Sequence, residues 1–165
     1  MSEVLPVVEP LKAIEVVNLS ERPDAVAVLA AWHFAEWSHL YPEQLLQDFA
    51  AELESCVGAQ PVPTTLIALV GEIPVGSISV LPRDMEIEEP WGPWLANFYV
   101  LPEYRSIGVG RQLIEALLEH CAAHAIPNLY LFTPETRAYY ERLGWQTIRS
   151  CEYYGDTVDI MCRPL

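Results

Sequence analysis

The segment Arg105-Ser106-Ile107-Gly108-Val109-Gly110 sets an arginine, a serine and two glycines into six positions between two apolar stretches. Before it, Leu95 to Leu101, with the aromatic pair Phe98-Tyr99, predicts a buried strand that Pro102 stops. After it, the apolar spacing is that of an amphipathic helix. A strand, a tight turn and a helix N-terminus in succession offer free amides and the positive end of a helix dipole, which together favour a phosphate or pyrophosphate. Two common phosphate motifs are excluded. A Walker A loop needs Gly-Lys-Ser/Thr, which occurs nowhere in the chain, and the dinucleotide fingerprint needs a third glycine where Leu113 stands.

Other reactive groups form weaker patterns. His120 and His124 have a metal-holding spacing on one helix, but no Glu follows His120 and no third ligand is evident, so they read as a solvated pair near a helix C-terminus. Glu86-Ile87-Glu88-Glu89 lacks EF-hand spacing. Cys56, Cys121, Cys151 and Cys162 show no C-x-x-C pairing and read as reduced thiols, so no metal is expected. A net charge of −14 argues against nucleic acid as a partner and against an anionic membrane surface; it suits either a solvated surface or the steering of a cationic substrate. No apolar run approaches the roughly 18–20 residues that span a bilayer, and the N-terminus is acidic rather than a basic signal peptide. A cytoplasmic protein with no membrane partner is expected.

These groups must be positioned by one domain, residues 1–165, with 52% apolar residues and room for a full core. An extended Pro-rich leader precedes a strand over Ala13–Leu19. A helix over about Asp24–His39 carries two apolar stripes, one of Val26, Leu29, Ala30 and His33 and one of Val28, Ala31, Trp32 and Ala35. Pro42 opens a second helix, Glu43 to about Cys56, with Leu45, Leu46, Phe49 and Leu53 at helical spacing. Strands over Thr64–Val70 and Val75–Leu81 form a hairpin, and Arg83–Pro93 is an acidic loop. The helix after the glycine turn runs to about Ala125 with Leu113, Leu117 and Cys121 inward. A strand over Asn128–Phe132 leads to a helix over Glu135–Leu143, with Thr133 as N-cap, Pro134 at its first position and Gly144 just past its end. Strands over Trp145–Glu152 and Thr157–Arg163 flank a turn at Tyr153–Asp156. The order is β-α-α-β-β-β-α-β-α-β-β.

The glycine turn resembles the pyrophosphate loop of the GNAT superfamily of N-acetyltransferases, R/Q-x-x-G-x-G/A after a strand. Ala138-Tyr139-Tyr140-Glu141-Arg142-Leu143-Gly144-Trp145 resembles that family's A-x-F-Y-E-K-L-G-F segment, and the order of elements is the family's order. The resemblance implies an α/β three-layer (α+β) GNAT fold, with a mixed central sheet of six to seven strands flanked by about four helices. It implies acetyl-CoA as co-substrate and direct transfer of the acetyl group, in a ternary complex, to a primary amine of a small molecule or a peptide N-terminus.

Residue by residue, the resemblance assigns the pantetheine arm to main-chain groups of Phe98, Tyr99 and Val100, a strand-edge mode of binding. The pyrophosphate falls on the amides of Ser106, Ile107, Gly108, Val109, Gly110 and Arg111, with Gly108 and Gly110 leaving room for close approach. Arg105 adds charge or pairs with Glu103. Ser106 departs from the family pattern, in which many members carry Gly; its amide is retained and its hydroxyl adds a donor. Tyr140 matches the family's general acid toward the departing thiolate, whereas Tyr139 reads as a core aromatic.

The base is open. The usual carboxylate position on the central strand is Trp94, and Asn97 cannot accept a proton either, which leaves Glu36, His39, Glu103 or an ordered water. On the acceptor side, Trp32, Trp37 and Tyr41 offer an aromatic wall and Glu36 and Asp156 offer places for an ammonium; alternatively Trp37 and Tyr41 pack the helix junction. The missing strand carboxylate motivates a second reading, an acyl-CoA-binding sensor or scaffold without turnover, and the turn alone admits a nucleotide-phosphate binder. Many relatives dimerise, so a homodimer is open for this chain.

Overall fold

The structure is a computed structural model whose description covers residues 13–165; the extended leader expected at the N-terminus lies outside the described residues. Seven strands, β1 (Ile14–Asn18), β2 (Thr64–Val70), β3 (Ile73–Leu81), β4 (Trp94–Val100), β5 (Asn128–Thr133), β6 (Gln146–Tyr153) and β7 (Asp156–Pro164), form one sheet in the order β1-β2-β3-β4-β5-β7-β6. Four helices, α1 (Val26–Trp37), α2 (Leu46–Ser55), α3 (Val109–Ala123) and α4 (Arg137–Arg142), complete the expected order of elements.

Alternation along β2 shows how the layers are built. Leu66 and Ala68 join the core formed with Leu113, Leu117 and Cys121 of α3, while Ile67 and Leu69 join the one formed with Leu29 and Leu53 of α1 and α2. A strand with apolar residues on both faces needs helices on both sides, and the two periodicities supply them. Every pairing is antiparallel except β4 with β5, and that parallel pair meets at one register position, Trp94 opposite Tyr130. Beyond it the two strands part.

The break has a local cause in β4. Ser79 pairs with Ala96 and Ser77 with Tyr99, so Asn97 and Phe98 together oppose Ile78 alone. This is a β-bulge, which bends its strand. Asn97 has φ of 50°, and its inward carbonyl accepts a 3.1 Å hydrogen bond from the Ser77 hydroxyl. The buried His33 lies 2.9 Å from the same hydroxyl through Nε2. Because that hydroxyl donates to Asn97, the imidazole must donate to it, which places the proton on Nε2.

Three expected boundaries change. α1 is shorter than Asp24–His39, since Pro23–Ala25 and Ser38–Leu40 are 3-10 turns. Its second stripe is mostly outward, with Val28 39% exposed and Ala31 and Ala35 also exposed, and only Trp32 packs against a core. α2 starts at Leu46, where the Leu45 amide donates to Asp48 Oδ2 at 2.7 Å, and Leu45 and Leu46 point outward while Leu53 is buried. α4 starts at Arg137 rather than Glu135, because the Thr133 hydroxyl accepts the Thr136 amide at 3.1 Å and closes a turn ahead of the helix, with Pro134 inside it.

Candidate active site

Where β4 and β5 part, a cleft of ≈ 1330 Å³ opens through the sheet. Its lining brings the two groups of candidate residues together: Phe98, Tyr99, Val100, Arg105, Ser106, Gly108, Gly110 and Arg111 of one group, Glu36, Trp37, Tyr41 and Asp156 of the other, and Tyr140 with them. Of the other candidates, Ile107 is exposed beside the turn and Val109 is buried beneath it, so only their amides remain available.

The turn leaves a run of backbone amides free. Gly108 caps α3 with φ of 94°, and the first bond of the helix is Gln112 N–H to Gly108 carbonyl at 3.1 Å. The amides from Ser106 to Arg111 therefore have no acceptor among the described residues, as expected of a helix start and the loop that enters it. The glycines act differently from the expectation of simple clearance. Around Gly108 there is open space within 4 Å, so its requirement is the left-handed backbone; a Cβ at Gly110 would lie 3.0 Å from the Phe98 ring. Ser106 also has positive φ, 64°, the conformation that a glycine would adopt without strain. Arg105 does not pair with Glu103. Its Nε donates to the Val100 carbonyl at 2.8 Å and its guanidinium lies 5.6 Å from the Tyr99 ring centre, which leaves that carbonyl one lone pair for a further donor.

Tyr140 is placed by the end of its own helix. Gly144, φ 93°, follows α4; its amide donates to Glu141 O at 3.1 Å and the next amide, of Trp145, donates to Tyr140 O at 3.1 Å. These two bonds are a Schellman closure, and the hydrophobic contact that accompanies one is present as Trp145 against the Tyr140 ring at 6.0 Å. Tyr140 is 8% exposed, and burial, then Tyr139, pushes its phenol well above the ordinary tyrosine range. Tyr139 is no core residue: it is 38% exposed and lines the cleft.

The aromatic wall expected of Trp32, Trp37 and Tyr41 divides in two. Trp32 and Trp37 both pack on Tyr99, at 5.8 and 6.2 Å, whereas Tyr41 meets Tyr154 of the β6–β7 turn at 5.6 Å. Trp32 and the exposed His39 do not line the cleft. The Tyr41–Tyr154 contact bridges the α1–α2 connection and a two-residue hairpin turn whose Tyr154 and Gly155 both have positive φ. Glu103 is exposed in the loop after β4 and stands outside the cleft lining. Trp94 is buried, its indole N–H donating to Trp91 O at 2.8 Å.

Sequence reasoning missed two carboxyl groups. Glu52 of α2 accepts a 2.8 Å hydrogen bond from the Asn97 amide, and Asp84, in the loop read only as acidic, lies in the cleft wall with its pKa raised well above its ordinary value by burial and by Glu52. Neither has a local signal, since only the bulge in β4 brings Asn97 to Glu52. The His120 and His124 rings each lie 2.8 Å from a carbonyl oxygen, of Pro61 and of His120, which engages one nitrogen of each.

Solved structures of similar shape share this arrangement of strands. Aminoglycoside 6'-N-acetyltransferase complexed with coenzyme A superposes with a TM-score of 0.72 at 16% identity, over 91% of this chain and 96% of that one. Aminoglycoside 6'-acetyltransferase type Ii gives 0.70 at 18% identity, over 92% and 96%. An acetyltransferase from Streptococcus agalactiae gives 0.66 at 22% identity, over 92% and 98%. No curated protein sequence matches the chain. At these identities the structural likeness speaks for the fold, an open mixed sheet with its cleft between two parting parallel strands. Residues 26–145, which carry the bulged strand, the turn and the Tyr140 segment, match the model of the acetyltransferase (GNAT) family, and the chain belongs to that family.

Proposed function

We propose that the protein is an acetyl-CoA-dependent N-acetyltransferase that transfers the acetyl group directly to a primary amine of a small molecule or a peptide N-terminus. The observation that carries this reading is the continuity of one cleft, from six unpartnered amides at Ser106–Arg111, past Tyr140, to a pocket bordered by Glu36, Glu43, Asp48, Glu52, Asp84 and Asp156. The amides suit a pyrophosphate and the carboxylates suit an ammonium. A similarly folded aminoglycoside 6'-N-acetyltransferase is solved in complex with coenzyme A, which supports coenzyme A as the ligand class.

Acetyl-CoA supplies the acetyl group as a thioester. The turn amides would hold its pyrophosphate and the unpaired edge of β4 its pantetheine arm, with Phe98, Tyr99 and Val100 as the main-chain partners. Burial disfavours the phenolate, so Tyr140 is present in the cleft wall as a protonated phenol, the form needed to donate to a leaving thiolate, although the same burial makes it a weaker acid than a free phenol. The acidic, aromatic lining favours acceptors with more than one positive charge.

The test is thiol release from acetyl-CoA across a panel of monoamines, polyamines, aminoglycosides and peptide N-termini. Turnover on cationic amines is the expected result. Coenzyme A binding without turnover on any amine would favour the sensor reading, and displacement of coenzyme A by ATP would favour a nucleotide-phosphate binder.

A further inference from the structure

We propose that Asp84 accepts the proton that the acceptor's ammonium must shed, with Glu52, anchored to the β4 bulge by Asn97, as its positioning partner. The inference rests on the transferase reading above. The strand position that would carry a carboxylate holds the buried Trp94, yet an ammonium cannot attack a carbonyl until it has lost a proton. The cleft wall offers other carboxyl groups for that step, Glu36, Glu52 and Asp84 among them.

Asp84 is fixed there by its neighbours. β3 ends at Leu81 opposite Trp94, and three residues later the chain crosses that end of β4. Met85, 3% exposed, is packed in a core with Trp94, Val158 and Ile160, and the Glu86 amide donates to the Tyr153 hydroxyl at 3.4 Å. Asp84 thus lies between the end of β3 at Leu81 and the anchored Met85, while remaining partly open to the cleft. The groups facing it are Glu52 from α2, Tyr41 from the α1–α2 connection and Tyr153 from β6, with Tyr154 beyond them; Arg83 and Glu86 flank it on its own loop. Among the described residues no cation pairs with it and no donor bonds to it; apolar burial and the Glu52 carboxylate are its dominant surroundings. Both disfavour its charged form and so raise its affinity for a proton toward the range in which a general base works. Glu52 is itself held in place by the 2.8 Å bond from Asn97, a residue whose φ of 50° belongs to the bulge that opens the cleft. The same distortion therefore makes the gap and sets the carboxyl pair beside it.

The chemistry balances. A nitrogen–hydrogen bond of the ammonium breaks and an oxygen–hydrogen bond forms on Asp84, leaving a lone pair on nitrogen. That pair bonds to the thioester carbon, and the carbon–sulfur bond breaks. Sulfur takes the Tyr140 proton, the second proton of the nitrogen restores the phenol, and Asp84 returns its proton to solvent.

The pH profile of kcat/KM for thiol release, with the best amine of the panel, tests this for the wild type, Asp84→Asn and Glu52→Gln. Wild type should lose activity below an acid limb that lies above the ordinary carboxylate range. Asp84→Asn should lower the rate by about 10²-fold or more and abolish that limb, as expected for loss of a general base. Glu52→Gln, by removing a neighbouring negative charge, should move the limb to lower pH. Coenzyme A affinity should be unchanged in both variants, which also reports folding. An Asp84→Asn enzyme with the wild-type rate and limb, or a limb that Glu52→Gln leaves in place, overturns the inference while the transferase reading stands. A wild type that turns over no amine in the panel overturns both. If Asp84→Asn does not fold, the Glu52→Gln limb decides alone.

Discussion

Two substitutions at Gly108 separate backbone strain from charge at the turn. An alanine meets nothing within 4 Å of its Cβ, so its effect is confined to a left-handed residue with φ of 94°. That conformation costs an L-residue about 1–2 kcal/mol, and for a chain of this size 1 kcal/mol lowers Tm by about 2–4 °C. Gly108→Ala should therefore melt about 2–8 °C lower and bind coenzyme A nearly as well as the wild type. Aspartate tolerates the left-handed region better than alanine but places a charge among the free amides. Taking about 5 Å to a pyrophosphate and an effective dielectric of about 40, each charge pair costs roughly 1.7 kcal/mol, and two such charges roughly 3 kcal/mol. Gly108→Asp should accordingly weaken coenzyme A binding by roughly two orders of magnitude, with part of the loss recovered at high salt. Calorimetric titration and thermal melting measure the two quantities. A folded Gly108→Asp protein that binds coenzyme A within about threefold of wild type would refute the placement of an anion on these amides.

Tyr140→Phe keeps the ring packed on Trp145 and should lower kcat by about 10²-fold or more, with coenzyme A affinity unchanged; a full-rate variant removes Tyr140 from proton transfer. Ser106→Gly removes the strain of a serine at φ 64° and should raise stability by about 0.5–1 kcal/mol, read as a higher Tm; an unchanged or lower Tm contradicts that account. His33 is neutral in the fold, its pKa lowered from 6.5 to about 4 by burial, while in the unfolded chain it titrates near 6.5. The unfolded state thus binds the extra proton first. Stability should fall as pH drops from about 6.5 to about 4, by roughly 3 kcal/mol from this residue, and level off below. Denaturant titrations across that range should show the slope in wild type and lose most of it in His33→Gln; an equal slope in both would place the proton uptake elsewhere.

The turn and the tyrosine were legible in the sequence because each is specified by nearby residues. Gly108 encodes its positive φ locally, and the bonds from Gly144 and Trp145 back to α4 lie within five residues of Tyr140. Leu113, Leu117 and Cys121 of α3 were readable for the same reason, since a helical stripe reports its own burial. The stripe rule failed where shape intervened. Val28 and Leu46 have the right spacing but lie on helix faces that no layer covers.

Sequence alone determined the order of elements, the glycine turn ahead of α3, the placement of Tyr140 at a helix end and, through these, the family. Tertiary structure decided the gap between β4 and β5, the bulge at Asn97–Phe98, the separation of Trp32 and Trp37 from Tyr41, and the meeting of Glu52 with Asp84. The physical reason is the range of the interactions. Periodicity and turn chemistry act over a few residues, whereas the bulge is held by Ser77 and His33 from two other elements, and the carboxyl pair joins α2 to a loop some thirty residues further along the chain.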